Sequence, residues 1–104
     1  MTVNRRTATR HDVAIPATIQ LPGSSVESLE SKILNLSIGG AFVALDRRLG
    51  IGTPVSLVFR IPTHDQAIET AAVVRWSNQE GFGVQFDGLR AAEVWSLGRF
   101  LAAM

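Results

Sequence analysis

Two short segments of this chain carry polar side chains at spacings suited to gripping a ligand. The first is RRTATR, residues 5–10, in which Arg6 and Arg10 lie four positions apart. In a fully extended chain they would be roughly 13 Å apart, and a bent loop could bring both onto one molecule. A guanidinium is a planar fork of donors that meets phosphate oxygens in pairs. It also pairs with the O6/N7 edge of guanine and lies over aromatic faces. The second segment is NLSIGG, residues 35–40. Alternate residues of a strand share a face, so Asn35 and Ser37 are expected together on the outside, with Leu34, Leu36 and Ile38 turned to the core. The Asn carboxamide offers both a donor and an acceptor to a heterocycle edge. Gly39 and Gly40 would let a ligand approach the main chain closely. Each segment also has a plainer reading, the first as a solvated basic tail and the second as a tight turn.

Catalysis has little to stand on. His11 and His64 are the only histidines, and cysteine is absent. That removes thiol chemistry, disulfides and Cys-based zinc sites. None of the common nucleophile, zincin or phosphate-loop motifs occurs. Asp46, Asp65, Glu69, Glu80, Asp87 and Glu93 show no metal-ligand spacing, and Asp12 beside His11 reads as a solvated side chain and not as a catalytic pair. No catalytic residue, metal or cofactor is expected. The net charge of +1 supplies no global field for DNA, RNA or an acidic membrane, so any basic site must be local. The N-terminal residues lack the apolar stretch of a secretory signal. No apolar run reaches the length of a membrane span. The expectation is a cytoplasmic domain without membrane insertion.

The elements that must position these groups are mostly strands. Val13, Ile15, Ala17, Ile19 and Leu21 alternate, with Pro16 on the opposite face marking an edge or a bulge. LESKILNLSI and AFVALD read as the second and third strands, and VSLVFRIP as the fourth. AIETAAVVRWS puts Ile68, Ala72, Val74 and Trp76 on one face. FGVQF completes the set, with Phe82, Val84 and Phe86 together. Six short strands separated by turns favour a sandwich or small barrel. The ending, GLRAAEVWSLGRFLAAM, has helical spacing and predicts an amphipathic helix over about 88–103. The whole is one domain: a basic arm over residues 1–12, then a strand-rich body over 13–104.

The two polar segments and the strands around them resemble one family. R-x-x-x-R before the first strand and [D/N]-x-S-x-x-G at the end of the second resemble the PilZ domain. Here they are Arg6 and Arg10, then Asn35, Ser37 and Gly40. AAVVRWSNQEGFGVQF resembles the family's later hairpin, and the terminal helix is in place. The resemblance implies an all-β, six-stranded antiparallel β-barrel with one C-terminal helix. It also implies binding of the bacterial second messenger cyclic di-GMP. Arg6 and Arg10 would meet its phosphates and guanines. Asn35 and Ser37 would hold a guanine edge, and Gly39 and Gly40 would allow close backbone approach. A basic residue at the position of Arg5 is associated in the family with two stacked ligand molecules. Trp76 has two open readings, base stacking or core packing, and its alternating run favours the core.

The implied function is that of a receptor and adaptor. The arm has few apolar residues to bury and is expected to be mobile until ligand draws it across the barrel. The ordered arm and ligand would then face a protein partner, not identified by the sequence. One alternative is an interaction module of the same fold that binds no nucleotide. Another is a barrel for single-stranded nucleic acid, which the charge and the few aromatics disfavour. On the helix, Leu97, Phe100, Leu101 and Met104 could close the barrel bottom or leave apolar surface for a partner or a homodimer.

Overall fold

The computed structural model describes residues 10–21, 28–47 and 49–104. Among them, six strands precede one helix: β1 His11–Gln20, β2 Ser28–Leu36, β3 Gly40–Ala44, β4 Pro54–Phe59, β5 Ile68–Ser77, β6 Gly81–Phe86 and α1 Ala91–Ala102. Every pairing is antiparallel, and the sheet closes into a barrel in the order β1-β2-β3-β6-β5-β4. This is the fold class expected. β1 begins at His11, so His11 and Asp12, read from the sequence as arm, are strand. The helix is shorter than the expected 88–103 at both ends.

Alternation explains the core. On β1, Ala17 and Ile19 are buried, and Val13 and Ile15 pack against the core from a half-buried position. Pro16 pairs with Lys32 on the β2 side, just outside the β4 ladder, which starts at Ala17. A residue without an N–H is tolerated where one neighbour is missing. Ile33, Leu36, Val43, Leu57, Ile68, Val74 and Phe82 fill the barrel with essentially no exposure. Phe59 and Phe86 stack within it, centroids 6.2 Å apart.

Among the described residues, three register shifts interrupt the ladders: one lies between Asp12 and Ile15 of β1 against β2, and the other two change which side chains face out. Of these two, one falls between Ile33 and Asn35 of β2 against β3, the other between Val74 and Trp76 of β5 against β6. A bulge puts one extra residue on its strand and so inverts the parity beyond it. The expectation that Leu34, Leu36 and Ile38 share the core face is corrected accordingly. Leu36 is buried, but Leu34, at the bulge, and Ile38, in the turn beyond the end of β2, are more than a third exposed. Trp76 likewise leaves the face of Val74 for the outside.

Helix α1 is held by its polar as well as its apolar residues. Leu97 and Leu101 are buried, and Phe100 packs partly against the core. The Thr63 hydroxyl donates to the Ser96 carbonyl at 2.7 Å, and His64 Nδ1 lies 2.7 Å from Ser96 Oγ. At the N-terminus the Arg90 N–H donates to Glu93 Oε1 at 2.8 Å, satisfying an otherwise unpaired helix-entry donor. Most of the expected apolar set therefore closes the barrel. The apolar groups left outside are Val94, Trp95 and Met104, with the Arg99 guanidinium 5.0 Å over the Trp95 ring. Among the described residues, no helix is long and apolar enough to cross a membrane.

Candidate functional site

The β2–β3 connection is where the second polar segment falls, and its chemistry is divided among its residues. Ser37 is buried and belongs to the turn. Its N–H donates to the Gly40 carbonyl at 2.9 Å. Its hydroxyl oxygen accepts from the N–H groups of Gly39 and Gly40 at 3.3 and 3.2 Å, and the hydroxyl also approaches the Gly40 carbonyl at 3.3 Å. This is the local side-chain-to-backbone pattern for which serine is favoured in turns. Ser37 and Asn35 thus do not sit side by side on a continued strand, because β2 ends at Leu36.

Gly40 and Gly39 are glycines for different reasons. A Cβ on Gly40 would collide with the Val84 carbonyl of β6, so close packing of the barrel itself demands glycine there. Around Gly39 there is open space, its carbonyl accepting the Phe86 N–H at 2.9 Å. Gly39 is therefore the position of the turn at which another molecule can reach the main chain.

Asn35 lies on the outer wall in a row that crosses five strands. Its register partners are Asp12 on β1 and Phe42 on β3; Phe42 is paired with Gly83 on β6, and Gly83 with Trp76 on β5. Phe42 and Trp76 stack across the glycine, centroids 5.2 Å apart and planes 21° from parallel. A Cβ on Gly83 would overlap the Trp76 ring, so the stack depends on that glycine. Phe42 is buried beneath the stack, whereas Trp76 remains 37% exposed. The row therefore offers, in order, a carboxylate, a carboxamide and an indole face. Arg10 precedes β1 and is exposed. Arg75 is also exposed, its Nε donating to Gln85 Oε1 at 2.8 Å, and Gln85 is the register partner of Gly40.

Of the residues singled out in the sequence, the structure brings together Asn35, Ser37, Gly39 and Gly40, with Arg10 at the start of the adjoining strand. Arg5 and Arg6 lie outside the described residues. Sequence reasoning missed Phe42, Asp12 and Arg75. Phe42 sits in an apolar run indistinguishable from core. Phe42 faces out by plain alternation between Ala41 and Val43, whereas the bulge that turns Trp76 outward leaves no mark in an alternating pattern. Among the described residues no group of acidic, His or Cys side chains could hold a metal ion.

Comparison with known proteins agrees with this fold. The family model of the PilZ domain matches residues 4–103. No curated protein matches the chain in sequence. Among solved structures, the inhibitor of motility MotI/DgrA of Bacillus subtilis superposes with a TM-score of 0.82 at 24% identity, covering 97% of this chain and 51% of that one. This chain thus spans about half the length of MotI/DgrA. The PilZ domain of YcgR from Escherichia coli, solved with c-di-GMP, gives 0.74 at 14% identity over 96% of this chain and 91% of that one. The PilZ domain of CeSA from a cellulose-synthesizing bacterium gives 0.68 at 18% identity, covering 91% and 96%.

Proposed function

This chain belongs to the PilZ domain family, and on that footing we propose that it is a receptor for cyclic di-GMP, acting by binding and not by catalysis. The observation that carries the reading is the outward Phe42–Trp76 stack in register with Asn35. An exposed indole face is a platform for a base, and stacking on an aromatic is worth about 1–3 kcal/mol per base. The carboxamide beside it supplies the in-plane hydrogen bonds that stacking lacks. Arg10, with Arg5 and Arg6 from the preceding arm, supplies cations for the two phosphates. Arg5 would support a second, stacked ligand molecule.

The proposed output is an ordered surface. Ligand seated at Asn35 and Gly39 draws the arm across the outer wall, and the covered site faces a protein partner or a second copy of the chain. Ile38 gives this a route to α1, since its Cδ1 lies 3.7 Å from the place of a Cβ on Gly98. The site and the partly apolar outer side of the helix thus meet at one residue. The cytoplasm, where the messenger is made and read, is the compartment this role requires.

Calorimetry with cyclic di-GMP tests the reading. Saturable binding at micromolar or tighter, about −8 kcal/mol or better, lost in Arg6→Ala and Arg10→Ala, is the expected result. A stoichiometry near two ligands per chain would assign Arg5 its role. Hydrogen exchange over residues 4–12 should slow on adding ligand, and unchanged exchange would overturn the ordering step. One observation favours the alternative of an interaction module that binds no nucleotide. Ser37 and Gly40 are both accounted for by the turn and the barrel without a ligand. A folded protein that gives no heat at high ligand concentration would select that alternative.

A further inference from the structure

Asp12 stands directly opposite Asn35 in the β1–β2 ladder. It is exposed, and its neighbour Val13 turns to the core, so both polar side chains lie on the outer wall. Directly paired residues on one face of an antiparallel pair hold their Cβ atoms about 4.5–5.5 Å apart. A carboxylate and a carboxamide are therefore neighbours on the outer wall, beside the register shift between Asp12 and Ile15.

That pairing matches one base better than others. The Watson–Crick edge of guanine presents the O6 acceptor, the N1–H donor and the 2-amino donor in a row. A carboxamide has an acceptor oxygen and a donor nitrogen, and so can meet O6 and N1–H together. It leaves the 2-amino group without a partner. A carboxylate is acceptor-only, and its hydrogen bonds are charge-assisted. We propose that Asp12 is a specificity-determining residue: its carboxylate accepts from the 2-amino group of a guanine held at Asn35. The proposal rests on the receptor reading above and adds to it the residue that selects guanine.

Two other roles for Asp12 make different predictions. Arg10 lies two residues earlier, roughly 6.6 Å along an extended strand, so Asp12 could orient that guanidinium. Removing it would then weaken binding of any purine cyclic dinucleotide by the same factor. Alternatively, Asp12 could be a bystander acid near a dianionic ligand, and its removal would strengthen all such ligands equally. The ratio between two ligands that differ only in the 2-amino group separates the three.

The experiment is paired calorimetric titration with cyclic di-GMP and cyclic di-IMP, whose hypoxanthine bases keep O6 and N1–H but lack the 2-amino group. Wild type should prefer cyclic di-GMP by about tenfold or more, the scale of one polar contact at a solvated site. In Asp12→Ala the preference should collapse to within about threefold, chiefly through loss of cyclic di-GMP affinity. Arg10→Ala should weaken both ligands and keep the preference. A preference unchanged in Asp12→Ala, with both affinities moving together in either direction, overturns the role of Asp12 and leaves the receptor standing. Wild type that is folded by thermal melt and binds neither ligand overturns both readings at once.

Discussion

Trp76 and Phe42 set what the outer wall can hold. Their stack exists because Gly83 lies beneath it and because β5 shifts register between Val74 and Trp76. Trp76→Ala is expected to weaken cyclic di-GMP binding by about 1–3 kcal/mol, roughly 5- to 150-fold. Trp76→Phe keeps a π-face and should retain most of the affinity. Calorimetry on both variants checks this, and equal affinities in wild type and Trp76→Ala would remove the indole from the site. Gly40→Ala should act differently. It drives a methyl into the Val84 carbonyl and is expected to destabilise the fold by about 1–3 kcal/mol or more, visible as a lowered denaturation midpoint. At this scale the sequence showed which residues mattered more clearly than what each does. The Asn-Ser-Gly-Gly run was legible both as a motif and as a turn. The structure divides those roles, with Ser37 and Gly40 building the turn while Asn35 and Gly39 face outward. Asp12 read only as a surface side chain, because the role proposed for it depends on Asn35 across the ladder, a relation no local pattern contains.

Strand alternation was the readable signal among the elements, and it located the barrel's inner face wherever the ladder is regular. It failed at the bulges of β2 and β5, since a bulge is a property of two strands together. The β2 bulge exposes Leu34 and the β5 bulge turns Trp76 outward, so of the candidate site it was the indole that alternation could not place. The helix was legible from its spacing, but its partition was not. Leu97 is fully buried, whereas Trp95 is 64% exposed under the Arg99 guanidinium. Leu97→Ala is therefore expected to cost about 2–5 kcal/mol of stability. Trp95→Ala should stay within about 0.5 kcal/mol of wild type, in the range of surface substitutions. Chemical denaturation of the two variants side by side measures both. Comparable losses would mean that Trp95 packs against the fold and does not stand outside it.

The barrel is closed, so every strand has two neighbours, and the candidate site lies on its wall and not in its interior. Ligand should therefore act on the molecule as mass action requires, stabilising the folded barrel without building any part of it. A ligand that binds only the folded state at about one hundred times its Kd adds roughly 2.7 kcal/mol. For a domain of about 100 residues each kcal/mol raises Tm by roughly 4–8 °C. Saturating cyclic di-GMP is thus expected to raise the melting temperature by about 10 °C or more. Arg10 is exposed at the start of β1 and contributes nothing to the core. Arg10→Ala should therefore melt where the free wild type melts, and ligand should move it far less. The net charge of +1 makes the contrast informative. With so small an overall field, a dianion has little general attraction for this surface, and a shift lost with one arginine reports a local site. An equal ligand-induced rise in wild type and Arg10→Ala would place binding away from the β1 entry. A variant already destabilised without ligand would show that Arg10 supports the barrel itself.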